Sequence, residues 1–128
     1  MARTVIQPPN RPDPRPRYSH GWRVGNTIYV AGQLATDKDD KLVGLNDITV
    51  QARQAFENIA AVLETAGASL RDVVKLNVFI TDMRYRDGYS AARQEFFKGD
   101  PPASTLVQVV ALAAPGALIE IEAIAVVD

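Results

Sequence analysis

Glu120 and Glu122 stand two residues apart in the run Ile119-Glu120-Ile121-Glu122-Ala123. Residues two apart in a strand share a face, so a strand here turns both carboxylates to one side. A carboxyl group set in a partly apolar cleft has its pKa raised by desolvation and can then exchange protons near neutral pH. General acid–base chemistry is what such a group offers. On the residues alone, an isolated strand carboxylate is more often an ion-pair partner or an edge group than a catalyst.

Other reactive types are sparse. The chain has no cysteine, which removes a disulfide scaffold, a thiolate metal site and a cysteine nucleophile together. His20 is the only histidine, so a histidine-based metal cluster cannot form within one chain. It is either a proton carrier beside Tyr18 or, as loop histidines more often are, polar surface. Asp37, Asp39 and Asp40 lack the glycine and the later bidentate Glu of a calcium loop and read as a solvated turn. Ser19, Ser69, Ser90 and Ser104 sit in no nucleophile elbow, and the glycines form neither a Walker loop nor a dinucleotide fingerprint. No metal and no cofactor is expected.

The 128 residues fall within the usual size of one domain, so residues 1–128 are expected to form a single unit. Lys and Arg total 14 against 15 Asp and Glu, interspersed, for a net charge of −1. That balance argues against nucleic acid, whose binders need clustered cations. No apolar run approaches the roughly 18 residues of a membrane span. No secretory signal opens the sequence, and a cytoplasmic location is the expectation.

The elements that must position these side chains follow from periodicity. Residues 1–17 read as an arm, extended through Pro8-Pro9-Asn10-Arg11-Pro12-Asp13-Pro14-Arg15-Pro16-Arg17 because proline fixes φ and removes a donor. Trp22 to Ala31 reads as a hairpin turning at Gly25-Asn26. Asp47 to Ala66 has a helical stripe of Ala52, Phe56, Ile59, Leu63 and Ala66, with Asp47 or Thr49 as cap and Gly67 beyond its end. Val73 to Ile80 is a strand with Val74, Leu76, Val78 and Ile80 on one face. A second helix is expected from Met83 to Phe97, capped by Asp82. Two strands follow, Thr105 to Leu112 and Leu118 to Val127, joined at Ala113-Ala114-Pro115-Gly116.

The order β-β-α-β-α-β-β gives an α+β fold with two helices on one face of a mostly antiparallel sheet. Alternation places Ser104, Leu106 and Gln108 on the other face with Glu120 and Glu122. That face is too apolar for water and too polar for a sealed core, which predicts packing against another chain.

Several stretches, in this order and spacing, resemble the Rid (YjgF, reactive-intermediate deaminase) family. They are Tyr18-Ser19-His20-Gly21, Val24 to Gln33, Gln51 to Ile59, Asp72 to Asp82, Pro102 to Val107 and Ile119 to Val126. The resemblance implies a chorismate-mutase-like fold and a homotrimer with clefts at the subunit interfaces. It also implies cofactor-free hydrolysis of enamines and imines. Glu120 matches the water-orienting glutamate, with Glu122 as an alternative holder of that role. Tyr18 matches an aromatic at the cleft mouth, and Gly32 a glycine whose backbone borders the site. On the residues alone, Tyr18 could equally be a core or interface tyrosine, and Gly32 a bulge. Leu106 and Ser90 fall at substrate-lining positions, the latter where many relatives carry asparagine.

The main departure is Ser104, where the usual imine deaminases carry an arginine that grips the substrate carboxylate by paired hydrogen bonds. Its loss predicts a substrate other than a standard 2-imino acid, unless Arg23 replaces the clamp. Two other functions remain open: a non-catalytic small-molecule-binding trimer, and an endoribonuclease or translation inhibitor.

Overall fold

The computed structural model describes residues 2–128. Six strands, β1 (Arg3–Ile6), β2 (Gly21–Val24), β3 (Thr27–Gln33), β4 (Val73–Ile80), β5 (Ala103–Gln108) and β6 (Ile119–Val126), form one sheet in the order β1-β2-β3-β6-β4-β5. Helices α1 (Ile48–Thr65) and α2 (Arg86–Phe96) cover one face, with a short 3-10 turn at Met83–Tyr85 ahead of α2. All pairings are antiparallel except β4 with β5, the parallel pair that α2 connects as a crossover.

The first helix begins and ends where local chemistry dictates. The Asp47 side chain accepts the Val50 N–H at 3.1 Å. At the other end Ala68 donates to the Leu63 carbonyl at 2.9 Å and Gly67 to Glu64 at 3.1 Å, a Schellman close that needs the positive φ of Gly67. Ala52, Phe56, Ile59 and Leu63 are fully buried against Ile28, Leu76, Val78 and Ile121 of the sheet. Phe56 packs on Phe96 with ring centroids 5.2 Å apart and on Tyr89 at 6.1 Å. Gly88 is a close-approach position, because a Cβ there would lie 2.6 Å from Ile48 Cγ2 on α1.

Three expectations are corrected. Residues 3–6 are a strand rather than part of an extended arm: Arg3 pairs with Val24 and Ile6 with Gly21 on the edge of the sheet. Val74 is not in the core. A bulge between Val73 and Lys75 leaves Val73 buried and Val74 half-exposed on the opposite side.

The third correction bears on the site. Ser104, Leu106 and Gln108 do not share a face with Glu120 and Glu122. Parallel pairing registers them with Leu76, Val78 and Ile80, whose side chains point to the helices. Leu106 accordingly packs on the core, and Gln108 Oε1 accepts the Met83 N–H at 2.7 Å. Ala103, Thr105 and Val107 take the outer face instead, where Lys75 Nζ donates to Thr105 Oγ1 at 2.9 Å. Alternation along one strand defines two faces, and the pairing partner decides which is which. The outer face also carries Trp22, Tyr29, Phe79, Glu120, Glu122, Ile124 and Val126.

Candidate functional site

The cleft at Glu120 forms where β3 loses its regular pairing with β6. Val30 pairs with Ala123 but Gln33 pairs with Ile121, so Ala31 and Gly32 together oppose Glu122. This bulge puts the Gly32 backbone against the Glu120 side chain, whose Cδ would lie 2.8 Å from a Cβ at residue 32. Gly32 is therefore both a bulge residue and a site-bordering one. The Pro-rich arm folds back over the bulge and closes a cavity of about 370 Å³, with Glu120, Gly32 and Ala31 on one side and Pro12, Arg17 and Tyr18 on the other.

His20 ties the arm to the bulge. Its Nε2 donates to the Pro12 carbonyl at 2.9 Å, and its Nδ1 accepts from Gln33 Nε2 at 3.3 Å, which sets the neutral Nε2–H tautomer. Gln33 also donates to the Ala31 carbonyl at 3.1 Å. His20 is thus a buried strut and not polar surface. Tyr18 stands edge-on to it at 6.1 Å, half-exposed at the mouth. Further along the arm, Arg11 Nη1 and Nη2 donate to the carbonyl and hydroxyl of Thr36, each at 3.0 Å. Thr36 and Leu34 are held in turn by the buried Asn58 of α1, whose Nδ2 reaches both carbonyls at 2.9 Å. The cleft wall is therefore anchored to the helical core.

The two carboxylates differ in their surroundings. Glu122 Oε1 accepts a hydrogen bond from Asn77 Nδ2 at 2.9 Å. Glu120 has no side-chain hydrogen bond among the described residues. Burial in the cleft pushes its pKa up, and the negative charge of Glu122 on the same face adds to the shift. Glu120 is the carboxyl group of the cleft that combines a raised proton affinity with no protein hydrogen bond among the described residues, which are the properties a water-activating group needs.

The structure brings Tyr18, Gly32 and Glu120 to one cleft and leaves Ser90, Ser104 and Leu106 elsewhere. Those three lie on α2 and on the helix-facing side of β5, around the buried Tyr89. The Tyr89 hydroxyl is directed to Ser104 but makes no hydrogen bond of ordinary geometry, and burial raises its pKa. Arg23 is not free to act as a clamp. Its Nη1 donates to the Ala66 carbonyl at 2.7 Å and its Nε to Gly25 at 3.0 Å, closing the end of α1 on the helix side of the sheet. Sequence reasoning missed Gln33 and the arm as parts of the cleft, and offered His20 as a proton carrier beside Tyr18 or as polar surface, not as a strut. The one available signal was a lone histidine shortly after five prolines.

The sequence matches the family described as Endoribonuclease L-PSP over residues 8–127. It is 41% identical over 125 residues to a RutC family protein of Pyrococcus abyssi, with 98% of each chain covered. Its fold superposes on the crystal structure of RidA from the Antarctic bacterium Psychrobacter sp. with a TM-score of 0.89 at 38% identity, covering 97% of this chain and 99% of that one. It superposes on E. coli TdcF, solved with bound serine, with a TM-score of 0.89 at 29% identity, covering 98% and 99%.

Proposed function

The chain belongs to the Endoribonuclease L-PSP family, which includes the Rid and YjgF proteins, and on that footing we propose that it is a hydrolytic deaminase of reactive enamine and imine intermediates. The observation that carries this reading is Glu120: a carboxyl group with raised pKa and no hydrogen-bond partner among the described residues, facing a cleft.

The chemistry is simple enough for that one group. Ionised Glu120 accepts a proton from a water molecule as the water oxygen bonds to the imine carbon. The C=N pair moves to nitrogen, which receives that proton from Glu120, giving a carbinolamine. Glu120 then takes the carbinolamine hydroxyl proton and passes it to nitrogen as the C–N bond breaks, so ammonia leaves and the carbonyl product remains. A carboxyl group whose pKa has moved toward neutrality serves both directions of transfer. No cofactor or metal enters the scheme. An enamine joins it after tautomerising to the imine.

The assembly that fits this reading is a homotrimer packed through the outer sheet face. Trp22, Tyr29, Val74, Val107 and Val126 are all at least 40% exposed there, more apolar surface than a lone chain ordinarily leaves in water. In such a trimer a neighbouring subunit supplies the second wall of the Glu120 cleft. With serine at 104, the substrate is other than a standard 2-imino acid. The test is hydrolysis of a panel of imines generated in situ, with wild-type protein, Glu120→Gln and no protein. Acceleration that disappears in the variant supports the deaminase. No acceleration by an intact assembly refutes it and leaves a small-molecule-binding trimer.

A further inference from the structure

Strand β4 meets the two carboxylates of β6 differently. Antiparallel pairing sets Asn77 directly opposite Glu122 and Phe79 directly opposite Glu120. Directly opposed residues on one face of a sheet are side-chain neighbours. Asn77 Nδ2 donates to Glu122 Oε1 at 2.9 Å, whereas a phenylalanine ring has no donor to offer Glu120. The two carboxylates also open on different spaces. Glu120 lines the cleft beneath the arm, and Glu122 a second concavity of about 310 Å³ with Asn77, Trp22 and Tyr29; Ala31 borders both. The other charged groups around the pair are Lys75 on β4, Arg11, Asp13 and Arg17 on the arm, and Asp40 in the loop after β3. Lys75 Nζ donates to Thr105 Oγ1 and makes no ion pair with Glu122 among the described residues. Asp13 is held by Arg15, Arg11 by Thr36, and His20 at both ring nitrogens by Pro12 and Gln33. Among the described residues, Asn77 is the one side chain that donates to either carboxylate.

We propose that Asn77 is a positioning residue of the site: its amide holds Glu122 as the anion, so that the proton for which the two carboxylates compete goes to Glu120. The catalytic consequence rests on the deaminase reading; the placement of the proton does not. Residues two apart on a strand face are about 7 Å from each other, close enough for one negative charge to oppose the other. Of two competing carboxylates, the one that accepts an N–H bond is favoured as the anion, and the one without a donor takes the proton. Burial in the cleft, with the charge of Glu122 added to it, raises the proton affinity of Glu120 in agreement with that order. Without the Asn77 bond the proton would divide between two positions, of which only Glu120 lines the cleft beneath the arm. The register enforces the choice. Asn77 and Phe79 are two apart on β4 as Glu122 and Glu120 are on β6, so the donor meets the other carboxylate only if the strands slip by two residues.

The test follows the proton of Glu120 directly, on the full-length protein. Carbon-13 NMR of glutamate-labelled protein is titrated over pH for wild type, Glu122→Gln, Asn77→Leu and the double variant, with Glu120→Gln assigning the resonance. Glu122→Gln is expected to lower the proton affinity of Glu120 about 3–10-fold, the effect of removing one nearby charge at a half-buried site. Asn77→Leu is expected to lower it by a smaller factor, with the displaced proton appearing on Glu122. In the Glu122→Gln background Asn77→Leu is expected to add nothing, because it acts only through that carboxylate. Asn77→Ser, too short to span the pair, repeats the measurement with a polar side chain and is expected to match Asn77→Leu. In turnover, the acid limb of the pH profile of kcat/KM moves to lower pH in the same order, since Glu120 must be ionised to accept the proton of water. A Glu120 titration unchanged in both Asn77 variants overturns the proposal, and so does a shift that persists without the charge at residue 122. Titrations that move as expected with no imine hydrolysed at any pH overturn the deaminase reading and leave this one standing.

Discussion

The carboxylate of Glu120 occupies the space a side chain at Gly32 would need: a Cβ built there lies 2.8 Å from Cδ and 3.0 Å from Cγ, closer still to one oxygen. The bulge at Ala31 and Gly32 brings β3 backbone over a β6 side chain, and only a residue without Cβ lets that side chain lie flat against it. The φ of Gly32 is not in the positive region, so the requirement is one of space and not of backbone conformation.

That relationship separates a displaced catalyst from a broken fold. In Gly32→Ala the flexible end of Glu120 yields before the backbone does. The expected outcome is a fall in kcat of about 100-fold, as for a reacting group moved by an ångström, with stability changed by less than about 1 kcal/mol. Urea denaturation and imine turnover on the same preparation check it. Full activity in Gly32→Ala would mean that the placement of Glu120 against the bulge does not matter.

Glu120 also leaves a signature in stability against pH. Burial and then Glu122 raise its pKa above the ordinary, unfolded value. The folded protein therefore holds that proton more tightly than the unfolded chain does. The stability this contributes is fully present below the ordinary carboxyl range and is lost as pH rises through the raised pKa. Glutamine does not ionise and escapes the loss. Glu120→Gln is expected to melt above wild type at pH 7, with the gap closing as the pH falls toward about 4. Thermal melts across that window check it, and a gap that stays constant with pH would argue that the carboxylate is not desolvated in solution.

His20 makes a different kind of contribution. It is 7% exposed and bridges Pro12 to Gln33, so His20→Ala leaves the part-buried Pro12 carbonyl without its donor and one of the two Gln33 amide N–H groups without its acceptor. A loss of roughly 1–3 kcal/mol is expected by denaturant titration. Faster tryptic cleavage after Arg17, the arginine of this stretch not followed by proline, should accompany it, because the arm loses its tether. Cleavage at the wild-type rate would show that the arm is held chiefly by Arg11 and by the packing of Pro8 and Pro14.

These residues also mark how far the sequence carries. Helix α1 was legible because its cap, its stripe and its terminal glycine agree, and each is read within a few residues. Glu120 and Glu122 were placed on one face by simple alternation. Ser104 and Leu106 were put on the wrong face because their phase depends on a parallel partner, β4, more than twenty residues earlier in the chain. The strand at Arg3–Ile6 was hidden in the arm, since four residues next to a proline run carry little signal of their own. Val74 was misplaced by a bulge that alternation cannot foresee. The arm closing over Glu120 is tied by His20 and Arg11 to backbone carbonyls of Pro12 and Thr36, which no side-chain pattern encodes.

The outer face supplies the last test. Tyr29 lies at its centre, opposite Trp22 on β2 and Ile124 on β6, and is 48% exposed. A lysine there costs the isolated chain little, since the residue already meets solvent and surface substitutions usually stay within about 0.5 kcal/mol. In a trimer packed through this face, the same substitution buries unpaired charges at an apolar contact, with a penalty of several kcal/mol. Tyr29→Lys is therefore expected to shift the protein from trimer to monomer at micromolar concentration while its far-ultraviolet circular dichroism stays native. Light scattering coupled to size exclusion measures the mass. A folded variant that remains trimeric would mean that another surface makes the assembly, and a monomeric wild type would remove the interface on which the second wall of the Glu120 cleft depends.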